Sequence, residues 1–155
     1  SRANDDDMPQ VLSIAAAAFR NERFHLDHRI KPGVSDLRYQ NWVSTAMYDP
    51  RQELQVIRYC GRLIAFFITE LLDDGTCYWH LTALDAAAQG QNHGRRVWTA
   101  MIELARSKGC ERVRSSIVAR NVRVLALYVR LGFRLLPPTM TFHWIRESQQ
   151  ETSSR

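Results

Sequence analysis

Leu84–Gly109 reads LDAAAQGQNHGRRVWTAMIELARSKG. It holds the end of an extended segment, a loop punctuated by Gln89, Gly90 and Gly94, and then a helix. From Gly94 onward Val97, Met101 and Leu104 recur at helical spacing, flanked by Trp98, Ile102 and Ala105. Lys108 and Gly109 supply the stop, a cation in the last turn and then a residue that accepts positive φ. A loop that feeds a helix N-terminus is an anion site, because its unpaired N–H groups point outward and the helix dipole favours negative charge there. Arg95 and Arg96 set two cations against that dipole. The arrangement makes sense with an anion between them.

The rest of the composition bounds the answer. The chain has 155 residues, 45% of them hydrophobic, which suits one domain with a real core. A net charge of +5 admits an anionic ligand, a nucleic acid or an acidic partner without choosing among them. There is no Lys/Arg run, and arginines, which suit bidentate phosphate contacts, far outnumber lysines. Cys60, Cys77 and Cys110 are an odd set with no CxxC spacing, so neither a zinc site nor a disulfide framework follows. They read as reduced thiols of a cytoplasmic protein. No stretch approaches the roughly eighteen apolar residues of a membrane span, and nothing at the start reads as a signal peptide.

Along the chain, Asn4 and Asp5 are good N-caps for a helix that carries Met8, Val11, Leu12, Ala15 and Phe19 to about Arg20. A polar, irregular segment follows from Asn21 to Gly33. Ser35 is placed to cap a second helix, about Asp36 to Tyr48, with Leu37, Trp42, Val43 and Met47 inward. The period then becomes extended: Glu53–Cys60, Leu63–Leu72 and Thr76–Ala83 read as strands joined by turns at Gly61 and at Asp73-Asp74-Gly75. On the third, strict alternation would turn Tyr78, His80 and Thr82 one way and Cys77, Trp79 and Leu81 the other. After the loop and its helix, Arg112–Val118 reads as a parallel strand. Asn121 is an N-cap, Val122–Leu131 a helix, Gly132 its terminator, and Phe133–Leu136 and Thr139–Ile145 two last strands. The expected division is one domain over 1–146 and a disordered polar tail over 147–155. The four tryptophans read as core.

Phosphate motifs such as GxxxxGK[ST] and GxGxxG are absent, as are GxSxG and HExxH. What remains is Gln89-x-x-Asn92-x-Gly94 after a strand ending Thr82-Ala83-Leu84-Asp85. This resembles the first signature of the GCN5-related N-acetyltransferase (GNAT) family, R/Q-x-x-G-x-G/A. Ser115–Phe133, SSIVARNVRVLALYVRLGF, is similar to its second signature: a strand, an Asn, and a helix ending Tyr-x-x-Leu-Gly-Phe. Asp5-Asp6-Asp7-Met8-Pro9 is similar to the family's opening helix. Asn92 stands where the family usually has Gly, and Asn tolerates the left-handed conformation better than most residues.

The resemblance implies an α/β three-layer fold, with helices on both faces of a mixed, mostly antiparallel sheet splayed between the family's fourth and fifth strands. Few residues remain here for the family's first strand. It implies an acetyl-CoA-dependent transfer of acetyl to a small amine. Neither nucleic acid nor membrane is an implied partner, no metal is required, and a homodimer is the assembly to consider. Acetyl-CoA would meet Thr82, Ala83 and Leu84 along its pantetheine arm, and Gln89, Gly90, Gln91, Asn92, His93, Gly94 and Arg95 at its pyrophosphate, with Asn121 nearby. Arg123 and Arg130 are the candidates for the outer phosphate, Arg130 being assigned to the site. Tyr128 matches the position that protonates the departing thiolate. Glu70 and His80 are the titratable candidates for taking the amine's proton, Glu70 slightly favoured. A backbone N–H near Leu84 would meet the oxyanion. The Arg23–Ile30 segment and Thr141–Trp144 are similar to GNAT enzymes of nucleotide-linked aminodeoxysugars, such as the dTDP-fucosamine type, which makes Arg23, His25 and Asp27 candidate acceptor contacts. Peptide or protein amines, and a non-catalytic acyl-CoA-binding module, are the competing readings.

Overall fold

Four strands make the sheet: β1 (Gln52–Tyr59), β2 (Arg62–Leu71), β3 (Thr76–Leu84) and β4 (Arg112–Ser115), side by side in that order. The computed structural model describes residues 1–19 and 22–144, with the backbone alone for Arg23, Pro32 and Asp36. The expected helix end at Arg20, the strand end at Ile145 and the tail over 147–155 lie outside the described residues. β1–β2 and β2–β3 are antiparallel, and β3–β4 is parallel because a helix intervenes. Cys60 (φ 50°) and Gly61 (φ 78°) close the first hairpin, two left-handed residues whose twist matches the strands they join. In the second, Gly75 takes φ 76° and Leu72 N–H donates to Thr76 O at 2.8 Å.

Helices cover both faces. On one side lie α1 (Met8–Ala18), the single turn α2 (Arg23–Leu26) and α3 (Pro32–Ala46); on the other, α4 (His93–Ser107) and α5 (Val122–Arg130). Asn4 opens the first side with a reciprocal capping box: its side chain accepts from Asp7 N–H and the Asp7 carboxylate accepts from Asn4 N–H. Val11, Ile14 and Val43 pack on Leu54, Phe66 and Ile68, while Val97, Trp98 and Met101 pack on Phe67 and Trp79. β2 is therefore buried on both faces along most of its length. Each large side chain so buried contributes roughly 1.5–3 kcal/mol, which makes this strand the rigid centre.

Several expectations need correction. α3 starts at Pro32, a turn earlier than expected, because proline's fixed φ and missing N–H suit a first helical position. Ser35 is consequently not a cap; it is buried inside the helix and its hydroxyl donates to Phe24 O at 2.7 Å. The inward face turns with it, so Tyr39 is buried and Leu37 is 56% exposed. β4 ends at Ser115, not Val118, where Ser115 Oγ donates to Trp79 O in place of further pairing. No strand forms over 133–144 among the described residues. Pro137 and Pro138 bring no donors to a ladder, and Leu135, Leu136, Met140 and Phe142 are all exposed, so the segment does not alternate against the sheet. Trp144, expected in the core, is 84% exposed.

Candidate active site

The site begins with an irregularity in β3. Ile68 of β2 pairs with Leu81 and the next residue, Thr69, pairs with Trp79, so His80 is an extra residue on β3. The bulge inverts the strand's faces. Cys77 and Trp79 join the core under α4 and α5, whereas Leu81 and Ala83 join the core under α1 and α3. The strict alternation expected from sequence fails here for that reason. The parallel pairing with β4 stops at the same place, at Trp79 opposite Ser115. From His80 to Leu84, β3 continues without a partner on that side among the described residues. The sheet thus splays, and its open part connects the two faces.

Tyr128, on α5, packs on one face against Trp79, the last residue of β3 paired with β4. It is 3% exposed, with its ring 6.3 Å from Trp79, 6.5 Å from Trp98 and 4.6 Å from Phe133. Its hydroxyl is buried and has no hydrogen-bond partner. A phenol oxygen in that position is costly unless something donates to or accepts from it. The helix that carries it is fixed by Asn121, whose side chain accepts from Val124 N–H at 3.2 Å, and by Gly132 at φ 88°.

Glu70 and His80 reach the gap from the other face. The structure brings the two together: His80 Nε2 lies 2.6 Å from Glu70 Oε2, each side chain about four-fifths buried (21% and 22% exposed). Trp42 of α3 packs against the His80 ring at 6.1 Å and Tyr78 at 4.7 Å. Tyr78 also bonds across the splay to Ser116 Oγ at 2.7 Å. Tyr78, Ser116 and Trp42 carry no motif that sequence reasoning would single out; the bulge that gathers them has no local signal.

The loop ahead of α4 has the expected form, with one shift: α4 begins at His93, so Gly94 lies in its first turn and not in the loop. Gly90 takes φ 77°, and Asn92 takes φ 62° and ψ 12°, the left-handed conformation that its place in the motif calls for. No side chain caps α4, so its first N–H groups remain available to an anion. Gln89 Nε2 donates to Leu84 O and Gln91 Nε2 to Ala87 O, which stiffen the loop from within. Asp85, capping a short turn at Ala86–Ala88, also pairs with Arg62 at 2.6 Å. Arg95 is exposed at the helix start, while His93 is buried against Tyr59. Arg123, not Arg130, comes to the loop: its guanidinium donates to Gln89 Oε1 at 3.3 Å, since Asn121 starts α5 beside the loop and Arg130 lies at that helix's far end. Thr82, Ala83 and Leu84 line the open edge of β3.

The acceptor-side candidates are less uniform. His25 stacks on Tyr39 of α3 at 6.1 Å. Asp27 is already engaged, by Arg29 through two guanidinium bonds and by His143 Nδ1 at 2.9 Å. Arg29 holds its carboxyl far below the usual carboxylate range. The side chain of Arg23 lies outside the described residues. No described helix is long and apolar enough to cross a membrane.

Comparison with known proteins agrees with this fold. The profile of the acetyltransferase (GNAT) family matches residues 9–133. A mycothiol acetyltransferase of Saccharopolyspora erythraea is 30% identical over 86 residues, which is 56% of this chain and 28% of that protein. The chain therefore spans less than a third of that relative's length. Among solved structures, an acetyltransferase from Bacillus subtilis aligns with TM-score 0.73 at 12% identity over 94% of this chain and 98% of that one. The ribosomal-protein-S18-alanine N-acetyltransferase of Escherichia coli aligns with TM-score 0.66 at 21% identity over 88% and 77%. An aminoglycoside 6'-N-acetyltransferase of Acinetobacter haemolyticus does so with TM-score 0.66 at 10% identity over 95% and 98%. At such identities these structures speak to the fold.

Proposed function

The chain belongs to the acetyltransferase (GNAT) family, and from that premise we propose that it moves an acetyl group from acetyl-CoA to a primary amine. The observation that carries the reading is the break in β3. It sets an unpartnered, buried phenol on one face of the open sheet and a hydrogen-bonded Glu70–His80 pair on the other, through adjacent residues Trp79 and His80. An amine entering from the α3 side meets a base, and a thioester threaded through the gap presents its sulfur to an acid.

The chemistry balances with these groups. The amine nitrogen bonds to the thioester carbonyl carbon, and the carbon–sulfur bond breaks. With Nε2–H donated to Glu70, His80 keeps Nδ1 as an acceptor for the amine's proton. Tyr128 gives its proton to the departing sulfur as the carbon–sulfur bond breaks. The uncapped start of α4, with Gly90 and Asn92 left-handed, suits the pyrophosphate, and Arg123 is the side chain near enough to assist.

Asn92, where the family usually has Gly, takes a left-handed backbone, which supports a loop able to hold the cofactor. For the acceptor, a nucleotide-linked aminodeoxysugar and a peptide amine are both primary amines that fit the proposal. The relatives named above, a mycothiol, a ribosomal-protein and an aminoglycoside enzyme, do not include a nucleotide-sugar enzyme. The test is thiol release from acetyl-CoA against dTDP- and UDP-aminosugars, glucosamine and short peptides. Amine-dependent release is expected, with a pH–rate profile that Glu70→Gln displaces. Stabilisation by CoA without turnover of any amine would overturn the catalytic reading.

A further inference from the structure

Arg134 to Trp144 forms neither helix nor strand, and His143 fastens it to the Phe24–Arg29 segment. The His143 ring stacks on Phe24 at 4.9 Å, its Nδ1 meets Asp27 Oδ2 at 2.9 Å, and its carbonyl receives Arg29 at 3.5 Å. Asp27 is in turn fixed as an anion. Arg29 donates to both its oxygens at 2.8 and 2.7 Å, and the Arg29 N–H adds a third bond at 3.2 Å. A fixed carboxylate at Nδ1 selects the Nδ1–H tautomer, leaving Nε2 with a lone pair. That Nε2 is buried and has no partner among the described residues. A carboxylate that orients an imidazole whose other nitrogen stays empty is an arrangement for meeting a ligand's donor, since a ring needed only for packing would gain nothing from an unpaired buried nitrogen.

The dyad is linked to the proposed base through α3. Phe24, under His143, packs edge-on against Tyr39 of α3 at 6.5 Å, and Trp42, one turn on, touches His80 at 6.1 Å. Tyr39 and Trp42 are three apart and share a helix face, which His80 meets directly and His143 through Phe24.

We propose that His143 is an acceptor-binding residue, its Nε2 accepting a hydrogen bond from a second N–H or O–H group of the amine substrate, and that Asp27 is the positioning residue that holds its tautomer. This rests on the acyl-transfer reading and deepens it by naming the acceptor's class: an amine bearing a further donor, such as an amino alcohol, an aminosugar or a peptide amide. It also changes the role of Asp27 from a substrate contact to a support.

The experiment uses the full chain with glucosamine and alaninamide as probes, and propylamine, which has no second donor, as control. Imidazole ¹⁵N spectra report the tautomer without any acceptor: Nδ1 protonated and Nε2 bare is expected, and a protonated Nε2 in the neutral ring overturns the proposal. His143→Gln is expected to raise the KM of whichever donor-bearing probe is turned over about tenfold, with kcat and the acetyl-CoA KM within about twofold. Asp27→Asn should reproduce part of that rise and lose the single tautomer. A KM unchanged in His143→Gln, or a wild-type preference for propylamine, overturns the proposal. If no probe is turned over, the saturating probes must still move the Nε2 resonance; a resonance that neither probe moves overturns it too. Calorimetric binding of acetyl-CoA separates the two claims, because its loss in wild type would refute the acyl-transfer reading itself.

Discussion

Removing one oxygen atom separates the two things Tyr128 can be. In Tyr128→Phe the ring contacts with Trp79, Trp98 and Phe133 are kept, because they involve the ring and not the hydroxyl. The hydroxyl itself is buried without a partner. Leaving a buried polar group unsatisfied costs about 1–3 kcal/mol. Deleting it should therefore stabilise the substrate-free protein, by about 1 kcal/mol if part of the cost is relieved by local adjustment. For a chain of this length that is a rise of roughly 2–4 °C in Tm. Turnover should move the other way, falling roughly 10²–10⁴-fold as the general acid is lost, with acetyl-CoA affinity nearly intact. Calorimetric melting and thiol release, run on the same preparations, read both effects. A tyrosine serving only to hold the core predicts the same gain in stability with unchanged turnover, and unchanged turnover would refute the reasoning.

Gly94 offers a paired test: a Cβ there would sit 3.6 Å from Leu127 Cδ2, an ordinary contact, and the backbone is not left-handed. Gly94→Ala should stabilise the fold by about 0.4–1 kcal/mol, whereas Gly94→Asp should fold equally well yet weaken acetyl-CoA binding at least about tenfold in calorimetry; equal affinity in all three proteins would remove the loop from the site. The cysteines should separate under alkylation. Burial pushes the Cys77 thiol up to about 11 while Cys60 is exposed, so at pH 8 only about 10⁻³ of Cys77 is thiolate; peptide mapping should find Cys60 modified first, and early labelling of Cys77 in folded protein would contradict its burial. Glu53 is held below the usual carboxylate range, chiefly by its bond to Lys108. Its stabilising effect is full above the unfolded value and disappears as pH falls through the folded one, so Glu53→Gln should cost roughly 0.2–1 kcal/mol at pH 7, a cost that shrinks as the pH is lowered through the acid range and vanishes below the folded value, measured by urea unfolding across that range.

The regular parts of the fold were legible because local chemistry decides them. Asn4, Asn121, Gly61, Gly75, Gly109 and Gly132 each do what their residue type suggests: two caps and four left-handed turns. Asn92 belongs with them. What escaped was set by tertiary geometry. A bulge is one extra residue in a ladder, and TCYWHLTAL reads as unbroken alternation until Ile68 and Thr69 are seen pairing with Leu81 and Trp79. The start of α3 was misread because Ser35 is a good cap and Pro32 a good N1 residue, and here the proline prevailed. The two strands expected after Gly132 find no partner over 133–144 among the described residues. In the site, Tyr128 and the α4 loop followed from their motifs. The Glu70–His80 contact was suggested only by adjacent strands, and the Asp27–His143 pair joins residues 116 positions apart with no motif between them.

The most direct test of the account is amide chemical-shift mapping during titration with acetyl-CoA. The largest shifts are expected at the Gly90–Arg95 amides ahead of and within the first turn of α4, along Thr82–Leu84, and at Tyr128. Shifts confined to other surfaces, such as the cleft lined by Tyr59, Cys60 and Arg62, or no shifts at saturating concentration, would contradict it.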